Sequence, residues 1–395
     1  MTRQNWVALR PAKFSSAGFG LVELMVSMVI GLLGIIVMMQ MFTVFEEQKR
    51  TTIGGDDALT SGAIALNGLQ RDIERAGWGL NSIKILGCSI TGLVPSATVP
   101  LAPVVINPVG LSAIDGFADK DTDTLMVMAG NANNTVEGVL INAVAGSIYS
   151  VKSSQPFAVG DNVFAMPKNR PINPSPCVTL VNVKLSVAPP SLQKVQVPGS
   201  ALATVDQGLL FNLGPAPSVL VYAIRNSNLS VCDYIASDCT GNAGWEDIAN
   251  NVISMRAQFG RDTTDVPTPP LTSRMDGVID QWDQYNPFLP ASVAVSLTAA
   301  KDGYDCRVAR IRVVRIALVA RSSQPEKVTT PPVTAVAPGW MGSAVSAVTP
   351  TNPTAVPITP PASGSGQSWQ NFRYKTFQTI VPLRNITVMG PAPEC

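Results

Sequence analysis

The chain contains no histidine among its 395 residues. That absence excludes a Ser-His-Asp triad, Cys-His catalysis, histidine-ligated zinc and a histidine proton relay. Charged residues are scarce, at 14%, where an average soluble domain has about 25%. The formal net charge of +1 gives no electrostatic argument for nucleic acid. With 46% hydrophobic residues, the composition also excludes a disordered acidic or basic protein.

Sequence motifs for enzymes and nucleotide cofactors are missing as well. The chain has no G-x-x-x-x-G-K-[S/T] phosphate loop and no G-x-S-x-G nucleophile motif. No enzymatic activity and no cofactor are therefore predicted.

What the sequence does contain is a long apolar run near its start. The first 18 residues carry three basic residues and no acid, and they end in small residues. After Phe19 and Glu23, an uncharged apolar run extends over residues 24–45. As a helix this run would be about 33 Å long, enough to cross a bilayer core of about 30 Å. Because the basic end precedes the run, the positive-inside rule leaves it in the cytoplasm and sends the rest of the chain outward.

The order of these features differs from that of a secretory signal. A secretory signal places its small-residue cleavage site after the apolar region, whereas here the small residues come first, so cleavage would keep the membrane segment. Glu23 lies four residues beyond a new N-terminus at Phe19 and would enter the bilayer, where a charge is costly and usually has a partner. The free amine of Phe19, of the same or of a neighbouring chain, is the candidate partner. The alternative is a plain single-pass anchor with a stray glutamate.

These residues resemble a known signal. Gly18 followed by Phe19-Gly-Leu-Val-Glu23 is similar to the class III signal of type IV pilins and of type II secretion pseudopilins. The resemblance implies that a prepilin peptidase cleaves between Gly18 and Phe19 and that Phe19 is N-methylated. It also implies that Glu23 docks the subunit against the amine of another subunit in a filament.

Further segments narrow the resemblance to PilW-type minor pilins. These segments, which keep the same order, are Leu69–Gly79, Asp123–Val127, Val159–Phe164, Asn251–Asp262, Val313–Arg321 and Tyr374–Asn385. The resemblance implies a single-pass inner-membrane protein with a periplasmic head that later joins the pilus at the cell surface. The implied partners are other minor pilins, the major pilin, prepilin peptidase, the pilus assembly platform, a tip adhesin and inner-membrane lipid, but no nucleic acid.

The function that this resemblance implies is assembly of the type IV pilus, within a minor-pilin complex that primes polymerisation or sits at the tip. Two alternatives remain open. One is a minor pseudopilin of a type II secretion system, of the J type, and the other is a tip-associated adhesion module.

The fold expected is α+β, with a pilin-like N-terminal helix on an antiparallel β-sheet head. A cleaved leader (1–18) precedes the helix (19–79), which has a membrane part at about 24–45 and an amphipathic part at about 56–76. Gly54 and Gly55 predict a kink or break, whereas Gly77 and Gly79 predict the helix end. The apolar face of the amphipathic part would comprise Leu59, Ala63, Leu66, Leu69 or Gln70, Ile73 and Ala76.

Residues 80–395 are predicted to form a β-rich head, larger than a minimal pilin needs, because short β-type runs alternate with turn residues. The strand candidates are Asp123–Ala129, Gly138–Val144, Asp161–Met166, Cys177–Val187, Lys194–Val197, Ser218–Arg225, Asn251–Phe259, Arg307–Arg321 and Tyr374–Leu383. The proline-rich stretch at about 325–368 is interpreted as a long surface insertion, with a glycosylated or partner-binding loop as the functional alternative.

The cysteines favour disulfides. All six follow the membrane segment, on the side predicted to be oxidising, and no C-x-x-C occurs. Cys232 and Cys239 enclose a short polar loop and are the best candidate pair. The other four have no assigned partner: Cys88, Cys177, Cys306 and Cys395.

Two charged clusters have both a structural and a functional interpretation. Asp276, Asp280 and Asp283 are a weak calcium candidate, but they lack the alternating pattern of a calcium loop, and a solvated acidic turn is favoured. The second cluster is a basic strand face formed by Arg310, Arg312, Arg315 and Arg321. It has no interleaved aromatic residue, as a single-strand platform would need, and a solvated or salt-bridged face is favoured over DNA binding.

Overall fold

In the computed structural model, the chain forms two compact units, residues 1–53 and residues 54–395. The residues described are 20–80, 82, 84–94, 97–111, 116–131, 138–168, 179–199, 205–262, 275, 277–284, 310–326, 332–344 and 368–387. Helix content and strand content are segregated along the chain, since one long helix comes first and the strands follow. The architecture is therefore α+β, as the sequence predicts.

Helix α1 runs without interruption from Leu21 to Arg75, over 55 residues. Of the kink or break predicted at Gly54 and Gly55, the break does not occur, because both residues are helical. A glycine inside a helix costs only about 1 kcal/mol relative to alanine, and here the small residue has a use. A Cβ built at Gly54 would lie 3.2 Å from the Cβ of Ser322, so glycine permits close approach of the body to the helix.

The predicted apolar face of the amphipathic half is correct only towards the end of α1. Leu69, Ile73 and Ala76 are fully buried, whereas Leu59 and Ala63 are exposed. In the earlier turns the residues turned inward are small ones: Gly54, Ala58, Gly62 and Ala65.

An aromatic ring explains this preference for small residues. A Cβ at Gly62 would lie 2.1 Å from Cε2 of Phe377, so the ring occupies the space that any larger residue would need. The helix ends as predicted, because Gly77 and Gly79 both adopt positive φ, 80° and 77°, which glycine tolerates at a helix C-terminus.

The body that follows is built from short strands. They are β1 Ser89–Thr91, β2 Val99–Pro100, β3 Val104–Ile106, β4 Leu125–Ala129, β5 Val139–Ala145, β6 Ile148–Val151, β7 Asn162–Met166, β8 Leu180–Val181, β9 Val183–Lys184, β10 Lys194–Gln196, β11 Leu209–Gly214, β12 Ser218–Arg225, β13 Asn228–Asp233, β14 Trp245–Ala249, β15 Val252–Arg261, β16 Gln281–Asp283, β17 Ile311–Arg321 and β18 Tyr374–Pro382. Two 3-10 turns, Met341–Ala344 and Trp369–Asn371, and a short helix α2, Arg384–Thr387, complete the described elements.

These strands form four sheets. Their strand orders are β2-β1-β8, β10-β6-β5-β11-β7-β9, β14-β13-β12-β4-β3 and β16-β15-β17-β18. All described pairs are antiparallel except β1 with β8. The expected antiparallel β-rich body is thus confirmed, and it is divided among several sheets.

The second half of α1 shares one core with two of these sheets. Ala65, Leu69 and Ile73 pack in a cluster with side chains of the five-stranded and four-stranded sheets, among them Phe259 and Leu318. A second core fills the other side of the five-stranded sheet, and a third lies within the six-stranded sheet. The amphipathic part of the helix therefore belongs to the same compact unit as the strands.

Most of the predicted strands are present, with shifted ends. The segment 177–187 is the poorest prediction, because it contributes only the two-residue strands β8 and β9. The strands that were not among the sequence candidates are β1, β2, β3, β6, β11, β13, β14 and β16.

Part of the proline-rich stretch covers a sheet. Trp340 is only 5% exposed and packs on Ile253, Ala317 and Val319, on the face of the four-stranded sheet opposite α1. Residues 332–344 therefore contribute to the core as well as to the surface, which the interpretation as a surface insertion missed. Residues 345–367 lie outside the described residues.

Candidate membrane and assembly segment

The first part of α1 is a segment apolar enough to cross a membrane. Over the 26 residues from Leu21 to Glu46 its side chains are unburied, and within the described residues it is the one helix with this length and composition. Exposed apolar side chains cover all sides of the helix. This arrangement is favourable in the bilayer interior and unfavourable in water. The segment fits a single-pass anchor, in agreement with the membrane part expected at about 24–45.

Glu23 lies in the first turn of this segment and is exposed. Its backbone N–H donates to the carbonyl oxygen of Gly20 at 3.0 Å, and Ser27 Oγ donates to the carbonyl oxygen of Glu23 at 2.5 Å. The backbone around Glu23 is thus fixed within the helix. A carboxylate in the first turn also interacts favourably with the helix macrodipole. Gly18 and Phe19, the predicted cleavage residues, lie outside the described residues.

At its other end, α1 is capped by a residue from the end of the chain. The side-chain amide of Asn385 donates to the carbonyl oxygens of Glu74, Arg75 and Ala76 over 3.4, 3.1 and 2.9 Å. The last carbonyls of a helix have no partner within the helix, so Asn385 supplies one. In the sequence, Asn385 lies in a segment that resembles PilW-type proteins, and no role was predicted for it.

A second contact joins the middle of the body to α1. The phenol of Tyr222, on β12, donates to Oδ2 of Asp72 over 2.5 Å. Burial, and then the hydrogen bond and charge of Asp72, raise the pKa of Tyr222. The phenol therefore keeps its proton and remains a donor. The sequence showed Asp72 only as a residue off the apolar face.

The outward side of α1 within the body retains apolar side chains. Leu59 is 44% exposed and Ile64 is 62% exposed. Ala63 lies between them and Gly68 lies about one turn beyond Ile64, and both of these small residues are exposed. This surface could pack against another helix, because small residues allow helix backbones to approach closely.

The predicted disulfide between Cys232 and Cys239 is present. It closes the end of β13, and both cysteines are fully buried. Cys88 is disulfide-bonded as well. The remaining cysteines, Cys177, Cys306 and Cys395, lie outside the described residues.

Asp280 and Asp283, two of the residues considered as calcium ligands, make different contacts. Asp283 forms an ion pair with Arg261, with its Oδ1 3.0 Å from Nε, and both side chains are buried. The backbone N–H of Asp280 donates to the carbonyl oxygen of Arg261, and Asp276 lies outside the described residues. In the described ranges, no group of three potential metal ligands occurs.

The arginines of β17 are not on an open basic face. Arg315 is 7% exposed, and its guanidinium carbon lies 3.7 Å from the centre of the Trp282 ring. Arg321 stacks on Phe372 at 4.5 Å. Burial lowers the pKa of both arginines. The aromatic partners come from other segments of the chain, so inspection of the strand alone could not find them.

The apolar, exposed N-terminal helix fits a single-pass membrane anchor, and with the antiparallel β-rich body it gives a protein of the α+β class. The family model of type IV pilus-assembly protein W, PilW, matches residues 221–385. This match confirms the resemblance to PilW-type pilus-assembly proteins. It also supports a role in assembly of the type IV pilus and a location in the cell envelope or at the cell surface. No curated protein and no solved structure matches the chain.

Proposed function

We propose that this protein is a minor pilin, cleaved by prepilin peptidase between Gly18 and Phe19, that primes assembly of the type IV pilus with other minor pilins. The observation that carries the proposal is that the first and the last part of helix α1 have different surroundings. Residues 21–46 of α1 expose apolar side chains on all sides, whereas its last turns are bonded into a body in which residues 221–385 match the PilW family model.

The mechanism is transfer of an apolar helix from lipid to protein. While the helix is in the inner membrane, its side chains contact lipid tails, which are as apolar as they are. In a filament the same side chains would contact helices of other subunits, so the transfer exposes no apolar surface to water. The driving interactions are then van der Waals packing and pairing of polar groups.

Glu23 is the polar group best placed to define the register. Its carboxylate stands in the first helical turn, at membrane depth, where an unpaired charge is costly. Pairing with the N-terminal amine of a neighbouring subunit would remove this cost at one axial position only. Buried ionic groups of this kind are best attested as determinants of register.

The body would occupy the periplasmic side and then the tip region of the pilus. Leu59, Ala63 and Ile64 extend the apolar surface of α1 beyond the membrane segment. We expect this surface to contact the helices of neighbouring minor pilins or of the major pilin.

The proposal is tested by intact mass and N-terminal sequencing of the protein from membranes and from sheared filaments. An N-methylated Phe19 terminus in the filament fraction is the expected result. Gly18→Val should abolish that terminus, because a side chain at Gly18 would obstruct the peptidase, and Gly20→Val is the matched control beyond the cleavage site. An uncleaved Met1 terminus confined to membranes would contradict the proposal.

A further inference from the structure

A polar cleft lies on the body, and no residue of α1 lines it. Its volume is about 460 Å³, within the range of about 300–1,000 Å³ that small-molecule sites occupy. Its described walls are the segment 116–119, the end of β12 with the turn after it, and the start of β14 with the loop before it. The side chains that matter below are Phe117, Asp119, Arg225, Asn242, Trp245 and Asp247.

Arg225 and Trp245 line the cleft and contact each other. The guanidinium carbon of Arg225 lies 4.6 Å from the centre of the Trp245 ring, a cation–π distance. Nη2 donates to Oδ1 of Asn242 over 2.6 Å, whereas Nη1 is buried and has no hydrogen-bond partner among the described residues. A buried donor without a partner costs free energy. A small rotation of the guanidinium towards an acceptor in the cleft would give Nη1 a hydrogen-bond partner and remove this cost.

The Trp245 ring is held in place by the disulfide loop. Its Nε1 donates to the carbonyl oxygens of Cys239 and Gly241, over 3.2 and 3.1 Å. Cys239 is in turn bonded to Cys232 on the neighbouring strand β13. The ring is therefore preorganised, which reduces the entropic cost of binding a ligand. Phe117 supplies a second aromatic side chain to the same cleft.

The acceptors of the cleft are fixed too. Asp119 accepts hydrogen bonds from the backbone N–H groups of Asn226 and Ser227, over 3.1 and 2.8 Å. Asp247 accepts from Ser230 Oγ over 2.6 Å and from Asn228 Nδ2 over 2.9 Å. A carboxylate has about four acceptor positions, so each retains capacity for a further donor.

Charge and geometry together restrict the class of ligand. Two carboxylates and one guanidinium give the cleft a net negative charge, which disfavours anions. A metal ion is disfavoured as well, because the described residues contain no group of three potential ligands. A neutral molecule with several hydroxyl groups fits these side chains, because hydroxyl groups donate to carboxylates and accept from arginine, while an apolar face packs on the aromatic rings.

We propose that this cleft binds a neutral saccharide, with Arg225, Asp119 and Asp247 contacting hydroxyl groups and Trp245 and Phe117 packing against the sugar ring. The site would add recognition of a glycan to the assembly role. It does not depend on that role, because it lies on β12–β14 and the 116–119 segment and uses no residue of α1.

The test is binding of saccharides to the purified full-length protein in a detergent that has no sugar headgroup. Saturation-transfer-difference NMR is recorded with glucose, galactose, mannose, N-acetylglucosamine and their common disaccharides, and with glucuronic and sialic acids as charged counterparts. Affinities of those that bind are then measured by calorimetry. The variants are Arg225→Gln and Asp247→Asn. Arg71→Gln is the matched control, since Arg71 is exposed and does not line the cleft.

The expected result is saturable binding of at least one neutral saccharide. Arg225→Gln and Asp247→Asn should each weaken it about tenfold or more, because each removes a hydrogen bond to a charged group, while Arg71→Gln leaves it unchanged. Asp247 is exposed, so its variant tests the site even if Arg225→Gln impairs folding. Three outcomes would overturn the proposal: no saccharide signal, equal binding by both cleft variants and wild type, or binding of the acidic sugars alone. None of them bears on pilus assembly, which is measured separately in filaments.

Discussion

Tyr222 Oη and Asp72 Oδ2 are 2.5 Å apart, although 150 residues separate them in the chain. Tyr222 is only 3% exposed, so the hydrogen bond lies at the boundary between α1 and the five-stranded sheet. Together with the cap from Asn385, it fixes the end of the helix to the body.

Removal of this hydroxyl should destabilise the body. In Tyr222→Phe the carboxylate of Asp72 loses its donor within a half-buried site, at a cost of about 1–3 kcal/mol. Tyr234→Phe is the matched control, because Tyr234 is 6% exposed and makes no side-chain hydrogen bond among the described contacts. Denaturant unfolding of the full-length protein measures both variants, and equal stability of the two would show that the Asp72 contact contributes nothing.

Alkaline pH should weaken the fold through the buried tyrosines. Burial and Asp72 raise the pKa of Tyr222, and burial raises the pKa of Tyr374 to about 12 against the opposing charge of Arg321. The unfolded chain releases these protons near pH 10, whereas the folded protein retains them, so stability is complete below about pH 10 and falls as pH rises further.

Unfolding free energies measured between about pH 9 and pH 12 test this dependence. The decrease in the free energy of unfolding with rising pH should be smaller in Tyr222→Phe, which has one titrating group fewer. Tyr374 should account for part of the decrease that remains in this variant. A wild-type protein whose stability does not fall above about pH 10 would contradict the assignment.

The sequence predicts the positions of the secondary-structure elements better than it predicts how these elements pack together. A strand such as β12, Ser218–Arg225, has a pattern of β-branched and aromatic residues that suffices to locate it, and its predicted bounds are correct. The turns at Gly77 and Gly79 were likewise predictable, since positive φ favours glycine. Local physical preferences decide both features.

The features that could not be predicted from the sequence are those that depend on contacts between distant segments of the chain. The inner face of α1 was misassigned at Leu59 because the ring that selects small residues, Phe377, lies more than 300 positions later. The cleft around Arg225 was missed for a similar reason: Asp119 and Asn242 reach it from separate loops. Glu23, in contrast, could be singled out as a candidate because a charge inside an apolar run is conspicuous in the sequence itself.

Two glycines of α1 should respond in opposite directions to the same substitution. Gly62→Ala places a Cβ within 2.1 Å of the Phe377 ring, and displacement of the ring should cost roughly 1–2 kcal/mol. Gly68→Ala meets no atom within 4 Å and should stabilise the protein by about 0.5–1 kcal/mol through helix propensity. Thermal unfolding of the full-length protein compares them. If Gly62→Ala were as stable as Gly68→Ala, the close packing of Phe377 on the helix would be refuted.

Replacement of Glu23 should separate processing from assembly. Glu23→Ala removes the carboxylate that we expect to pair with a neighbouring N-terminal amine, but it leaves Gly18 and Phe19 in place, so cleavage should proceed. Incorporation should fall about tenfold or more, because a charge-assisted pair of this kind contributes at least about 1.5 kcal/mol. Glu46→Ala is the matched control, since Glu46 is an exposed glutamate at the other end of the same apolar segment and its replacement should not alter incorporation.

The ratio of filament to membrane protein on immunoblots measures the effect, with the mature mass as the check on cleavage. Normal incorporation of Glu23→Ala would eliminate the pairing, and loss of both processing and incorporation would place the role of Glu23 at the peptidase instead.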